Sequence, residues 1–497
     1  MQEHSSAFVA TRELPQLAPP RKNDGPLAVV RTNLFSTPLD TVLTLACAAF
    51  LIWVAVKLVD FVWVSAVFVG DNREACLVEG GGHGGACWAF VEAKFGQFVY
   101  GTYPLEQRWR VDAIFLALAA LIAALVVPNM PYKRINAVLL FAVFPIVSLV
   151  LLTGGEFDLP GGTIALALIL AAAVTLSGVG SSPRVGFSRL DMRAAIWLAL
   201  AAFALALLAI VVDLGSVRVL VFDFSILTLL SALAALASIA LAIAAGLRAG
   251  SGGVVALFTP LVFALLFVVA LSGDFGLSHV PTNRWGGLML TLVVAFSVIA
   301  ASLPLGILLA LGRRSHMPAI RLFCIIFIEF WRGVPLITVL FMATFMLPLF
   351  MPDGVNFNSL LRVVVGFSMF AGAYMAEVIR GGLQAIPRGQ YEGADAMALS
   401  YWQKMRLIIL PQALKIVIPG IVNTFIGVFK DTSLVYIIGL ADLLGTVKRG
   451  FADPNWITPT TPATGLLFAA CIYWVFCFGM SRYSIFVERR LDTGHKR

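Results

Sequence analysis

The chain has 497 residues, 60% hydrophobic and 12% charged, whereas a soluble domain is about half apolar and about a quarter charged. So few charges cannot cover a water-soluble globule of this length, and the surplus apolar side chains must face lipid. The formal charge of +8 does not signal nucleic acid, because Lys and Arg lie in short clusters between apolar runs and form no basic stripe with interleaved aromatics.

Residues 1–40 are polar and carry Pro15, Pro19, Pro20 and Pro26. The segment is too long for the charged start of a signal peptide, and the apolar run after it is span-length, so a cytoplasmic tail and a retained span are expected. A helix crosses the ~30 Å hydrocarbon core with about 20 apolar residues. That rule marks Leu43–Val69, Ala113–Val127, Ala137–Leu152, Thr163–Ser177, Ala194–Val212 and Ser225–Ala245. It also marks Val254–Leu271, Leu288–Leu311, Ile320–Leu349, Val363–Val378, Lys415–Ile438 and Leu466–Ile485. The expected fold is all-α and polytopic, with about twelve spans. Basic clusters at Lys133-Arg134, Arg184/Arg189/Arg193, Arg313-Arg314 and Arg489-Arg490 fall on alternate loops. Positive charge marks the cytoplasmic side, which places both termini there.

Cys76 and Cys87 share the long outside loop 71–110, separated by the glycine-rich run around His83. An oxidising compartment allows a disulfide between them, and two free thiols are the alternative. The five histidines are scattered without metal-ligand spacing, and no metal site is expected.

The stretch from Gln390 to Ala413, between the tenth and eleventh spans, reads as two short helices with a break. Ser400 followed by Gln403 fits a capping box, which starts a new helix. On that helix Trp402, Met405 and Ile409 share one face, while Lys404 and Arg406 can stay in water. Small residues at 393, 394, 396 and 398 let the first helix approach another surface closely.

This loop resembles the EAA motif of the permeases of ATP-binding cassette importers: Glu-Ala-Ala, three residues, Gly, nine residues, Ile-x-Leu-Pro. Glu392, Ala394, Ile408, Leu410 and Pro411 match in identity and spacing. Gly393 stands for the second motif residue and Ala398 for the motif glycine; the less free backbone of alanine puts a special turn there in question. The resemblance implies that residues 387–413 insert a coupling helix into a groove of an ATPase subunit.

Phe327–Leu336 (with Glu329, Arg332, Gly333 and Pro335), Ala373–Gly382 continuing through Ile386–Gln390, and Phe429–Leu434 with Ile438–Leu443 resemble polar amino-acid permeases. The general L-amino-acid permeases, which carry extra amino-terminal spans, are similar from Trp285 to the end. The resemblance implies a permease core at 285–497, preceded by a scaffold extension of about seven spans at 41–284. It further implies two ATPase subunits that carry ATP and Mg, a second permease subunit, a periplasmic binding protein, an L-amino acid substrate and a bacterial inner membrane.

Ionisable residues inside spans are costly and commonly face a cavity or a bundle interior. Glu329/Arg332 and Glu377/Arg380 are each spaced i, i+3 and can meet on one helical face, whereas Lys430 and Asp431 are adjacent and diverge. These residues, with Thr432 and Ser433, are candidates for the translocation path; self-neutralising structural pairs are the competing reading. Gly333 and Pro335 should loosen the ninth span and free backbone groups.

No Gly-x4-Gly-Lys-Ser/Thr phosphate loop occurs, so ATP hydrolysis is expected on partner subunits. A transporter driven by an ion gradient is the rival reading. Against it, the connection after the sixth span is short and the developed loop lies between the tenth and eleventh.

Overall fold

The computed structural model describes residues 30, 33–77, 84–127, 130–155, 161–180, 190–212, 214–219, 222–248, 275–350 and 358–491. The chain divides into two compact units, Met1–Ala89 and Phe90–Arg497.

In the first unit, α1 (Pro38–Val59) starts at Thr37, whose hydroxyl accepts the Asp40 amide at 3.1 Å, and runs on into a π turn at Asp60–Val64. None of its residues is buried, as suits a helix bathed in lipid. Beyond it, Cys76 and Cys87 are joined by a disulfide with Cα atoms 5.7 Å apart, within the usual span of such bridges.

In the second unit, α2 (Trp88–Tyr100), α3 (Arg108–Val126), α4 (Lys133–Val138) and α5 (Phe144–Thr153) lead into α6 (Gly161–Gly180), α7 (Leu190–Val211) and α8 (Ile226–Arg248). The last three form a bundle held by small residues. Ser231 and Ser238 donate hydroxyl bonds of 2.7 Å to the Ala202 and Ala195 carbonyls of α7, and Ala235 and Ala242 are buried at the same contact. Lipid gives helices no hydrophobic reason to associate, so close backbone approach and interhelical hydrogen bonds do it instead. A two-stranded antiparallel ribbon, β1 (Ser216–Val219) and β2 (Phe222–Ser225), pairs Ser216 with Ser225 just before α8. It is a local exception to the all-helical expectation.

The carboxyl-terminal part contains α9 (Gly287–Arg313), α10 (Pro318–Gly333), α11 (Leu336–Phe341), α12 (Ser359–Ala385), α13 (Arg388–Ala396), α14 (Tyr401–Lys404), α15 (Leu410–Ile416), α16 (Ile418–Asp431), α17 (Leu443–Gly450) and α18 (Thr461–Leu491). Helices α9 and α12 are its spine. They approach closely because a Cβ on Gly306 would lie 2.6 Å from Met375, a distance only glycine permits.

Among the described residues nine helices are long and apolar enough to cross a membrane, or ten if one bent pair counts as a single span. The protein is therefore a polytopic helical membrane protein. Three of the twelve expected spans differ or escape the count. Val254–Leu271 lies outside the described residues, and α6 has an apolar stretch, Ile164–Val179, too short to pass. The expected single span Ile320–Leu349 is instead two segments, Pro318–Gly333 and Leu336–Phe350, meeting at 104°. Val334 adopts extended backbone (φ −100°, ψ 134°) before Pro335. A residue preceding proline is disfavoured in the α region, and proline brings no N–H to continue the helix. Gly333 and Pro335 thus break the helix rather than merely loosening it.

Candidate functional site

The loop between α12 and α16 folds into a compact step. Helix α13 ends in a Schellman turn: the Ala398 amide donates to Asp395 O at 2.9 Å and the Leu399 amide to Ala394 O at 3.3 Å. Ala398 itself adopts φ +51°, so the left-handed turn is made without glycine. The turn thus survives the substitution, and the alanine Cβ is strained by about 1 kcal/mol. Ala398→Gly is expected to relieve that strain and slow hydrogen exchange of the Leu399 amide about five-fold; unchanged exchange would show that the turn stores no strain.

After the turn, the Ser400 amide donates to Gln403 Oε1 at 3.0 Å and the capping box closes. Lys404 Nζ pairs with Asp395, tying α14 back to α13. A π turn at Met405–Ile409 follows, and Pro411 enters the first turn of α15. The widened turn accommodates a ring that would otherwise strike the carbonyl four residues earlier. It also changes the facing of side chains. Met405 and Ile409 are buried as expected, but Trp402, expected on the same face, is 62% exposed.

Met405, Ile409 and Ala413 join Ile379, Leu383 and Ile386 of the α12 end and Leu309 of α9 in one apolar cluster. Gly382 makes this seat: a Cβ there would lie 2.7 Å from Ala413 O. Of the motif residues, Ala394 is buried, while Glu392, Gly393, Ala398 and Pro411 are exposed and Ile408 and Leu410 are intermediate. Inward-facing positions anchor the loop, and Glu392, Gly393, Met397 and Trp402 remain on its surface.

A second set of contacts connects the loop to the charges inside the bundle. Glu377 accepts from Arg380 Nη2 at 2.6 Å and from Arg313 Nη1 at 2.7 Å, with Arg332 at 3.8 Å. Arg313 also reaches Glu329 at 3.0 Å, while Arg332 and Glu329 stand 3.9 Å apart. The two expected pairs are therefore one cluster of three guanidiniums and two carboxylates, joining α9, α10 and α12.

Arg313 is legible in the sequence only as part of a basic loop pair; its role here comes from helix packing that no local pattern reports. The adjacent Arg314 donates to Leu383 O at 3.0 Å and to the Tyr391 hydroxyl at 2.9 Å, with its guanidinium 5.5 Å from the ring centre. Tyr391 belongs to α13. The consecutive arginines thus grip the charge cluster with one side chain and the loop with the other.

Lys430–Ser433 lie elsewhere, where α16 passes into a 3₁₀ turn at Thr432–Ile438. Lys430 is exposed, whereas Thr432 is buried, donates to Phe429 O at 2.7 Å and stands 3.4 Å from the Tyr473 hydroxyl of α18. Among the described residues no group of His, Cys, Asp or Glu could hold a metal ion.

Residues 302–493 match the family described as "Binding-protein-dependent transport system inner membrane component". The chain is 38% identical over 466 residues to the inner membrane amino-acid ABC transporter permease protein YhdY of Escherichia coli K12, covering 94% of this chain and 93% of that one. It is also 38% identical over 501 residues to the glutamate/glutamine/aspartate/asparagine transport system permease protein BztC of Rhodobacter capsulatus, covering 99% of each. A solved amino acid ABC transporter "with histidines" is 30% identical over 41% of this chain and 92% of that one, at a TM-score of 0.37.

The chain belongs to the permease subunits of ATP-binding cassette amino-acid importers. It is a multi-pass inner-membrane transport subunit of an importer built from permease, ATPase and binding-protein components, and the ion-gradient reading falls away.

Proposed function

We propose that this subunit carries L-amino acids of the acidic and amide class across the inner membrane, using the loop 387–413 as its mechanical input. The substrate class is suggested by the Rhodobacter capsulatus relative, whose name gives glutamate, glutamine, aspartate and asparagine. Residues 285–497 form the permease core. Residues 41–284, including the expected span Val254–Leu271, form the scaffold, and 1–40 the cytoplasmic tail. With both termini cytoplasmic, the loop faces the ATPase subunits, of which two bind ATP and Mg beneath a pair of related permeases.

Glu392 and Gly393 belong to the docking helix and Ala398 to the turn that ends it, whereas Ala394, Ile408, Leu410 and Pro411 shape its seat. Closure of the ATPase dimer pulls on α13. Arg314 then passes the displacement to α9, and Arg313 to the cluster of Glu329, Arg332, Glu377 and Arg380. A ligand or nucleotide can shift the bundle only by contacting its states unequally. This cluster has the many exchangeable partners that two packings require. Lys430, Asp431, Thr432 and Ser433 offer both charge signs and hydroxyls to a zwitterion in the path.

The observation that carries this reading is the loop's division into a buried anchor and a free outer face. Co-purification with neighbouring subunits, followed by ATP-dependent uptake of labelled amino acids in vesicles, tests it. Uptake of L-glutamate or L-glutamine that stops without ATP is expected; uptake indifferent to nucleotide contradicts it. Glu329, Arg332, Glu377 and Arg380 are also candidates for the path; Glu329→Gln, Arg332→Gln and Asp431→Asn should each impair uptake, and normal transport by all three removes the path assignment.

A further inference from the structure

We propose that the end of the bundle opposite the coupling loop holds a binding site for the carboxylate of a small solute, shared between the permease core and α2 of the extension. The inference rests on the amino-acid importer reading and locates a step within it. A cavity of about 180 Å³ opens there, with Gln97, Thr102, Asn283, Trp285, Ser359 and Arg449 in its walls. Its volume equals about six waters at ~30 Å³ each. That suits the backbone and short side chain of an amino acid and is too small for a nucleotide.

Two independent features give the cavity one electrostatic sign. Arg449 is the charged residue in the lining, and no Asp or Glu is among the described residues there. Gly286, also in the wall, is the N-cap of α9, and Ser359 is the first residue of α12. Two helices of 27 residues therefore begin at the cavity, and the amino end of a helix favours an anion. Trp285, 3% exposed, also lines the cavity, which makes its ring a reporter of an occupant.

The site also gives the extension a task. Gln97 and Thr102 reach it because α2 ends against the start of α9: Gly101 bridges to Trp285, and Thr102 Oγ1 donates to Arg284 O at 3.0 Å. The permease core alone would leave this wall open.

The test uses the assembled importer in nanodiscs, labelled with 5-fluorotryptophan, the Trp285 resonance being identified by its loss in Trp285→Phe. Sodium L-glutamate is titrated against sodium chloride at equal ionic strength. A saturable shift with glutamate alone, weakened about ten-fold in Arg449→Gln, is expected. In uptake assays the same Arg449→Gln should raise KM about ten-fold while kcat holds.

A Trp285 resonance that ignores glutamate, or responds equally to chloride, overturns the site. So does an Arg449→Gln importer with unchanged affinity and KM. If ATP-driven uptake fails for every amino acid but the resonance still titrates, the importer reading fails and the site stands. Normal uptake with a silent resonance removes the site and leaves the importer reading intact.

Discussion

Gly393→Trp is expected to leave the chain folded and inserted while cutting ATP-driven uptake at least ten-fold. A Cβ at Gly393 meets nothing within 4 Å, and the residue is exposed in the interior of α13. Glycine inside a helix costs about 0.5–1 kcal/mol relative to alanine, so a larger residue should not weaken α13. A bulky ring would nevertheless prevent close seating of this face in a groove, and about 1.4 kcal/mol of lost docking already gives a ten-fold change. Its neighbour supplies the control. Ala394 is 1% exposed, so Ala394→Trp must displace the loop from its seat and should reduce folded protein as well as uptake. Retention of more than half the uptake by a well-folded Gly393→Trp importer would contradict the docking role.

The second large effect concerns pH. Asp442 is fully buried, and burial pushes its carboxyl up to about 6 from the ordinary 3.8, despite bonds from the Gly445 amide, the Leu444 amide and the Tyr473 hydroxyl. Below the unfolded pKa both states hold the proton and the site costs the native fold nothing. As pH rises toward about 6, the unfolded chain releases its proton while the folded one keeps it, so stability falls. At about 1.4 kcal/mol per unit the loss totals about 3 kcal/mol, and it levels off at higher pH. Asp442→Asn keeps an N-cap acceptor for α17 and removes the charge. Its thermal stability should exceed wild type above pH 6 and converge with it near pH 4. Parallel pH profiles for the two proteins would show that Asp442 is not charged at a cost in the fold.

Most of the architecture is legible in the sequence because lipid imposes a simple rule: apolar helices of membrane length, separated by polar loops. The capping box at Ser400 is equally readable, since its chemistry is local. What escapes depends on partners distant in sequence. Arg313 and Glu377 are 64 positions apart, and nothing around Arg313 distinguishes it from an orientation-setting basic residue. A 3.6-residue period puts Trp402 on the wrong face, because the chain makes a π turn there. The bend at Val334 is visible as a weakness in Gly333 and Pro335, but its 104° angle is set by packing of the following segment.

The most direct test of the loop's proposed role is photo-crosslinking from position 397, where Met397 is 74% exposed on the free face of the loop. With p-benzoyl-phenylalanine there, irradiation of the assembled importer should give an adduct with an ATPase subunit, in a yield that changes when ATP binds. An importer that remains active yet gives no such adduct, or whose position 397 reacts only with reagents confined to the external face, would contradict the account.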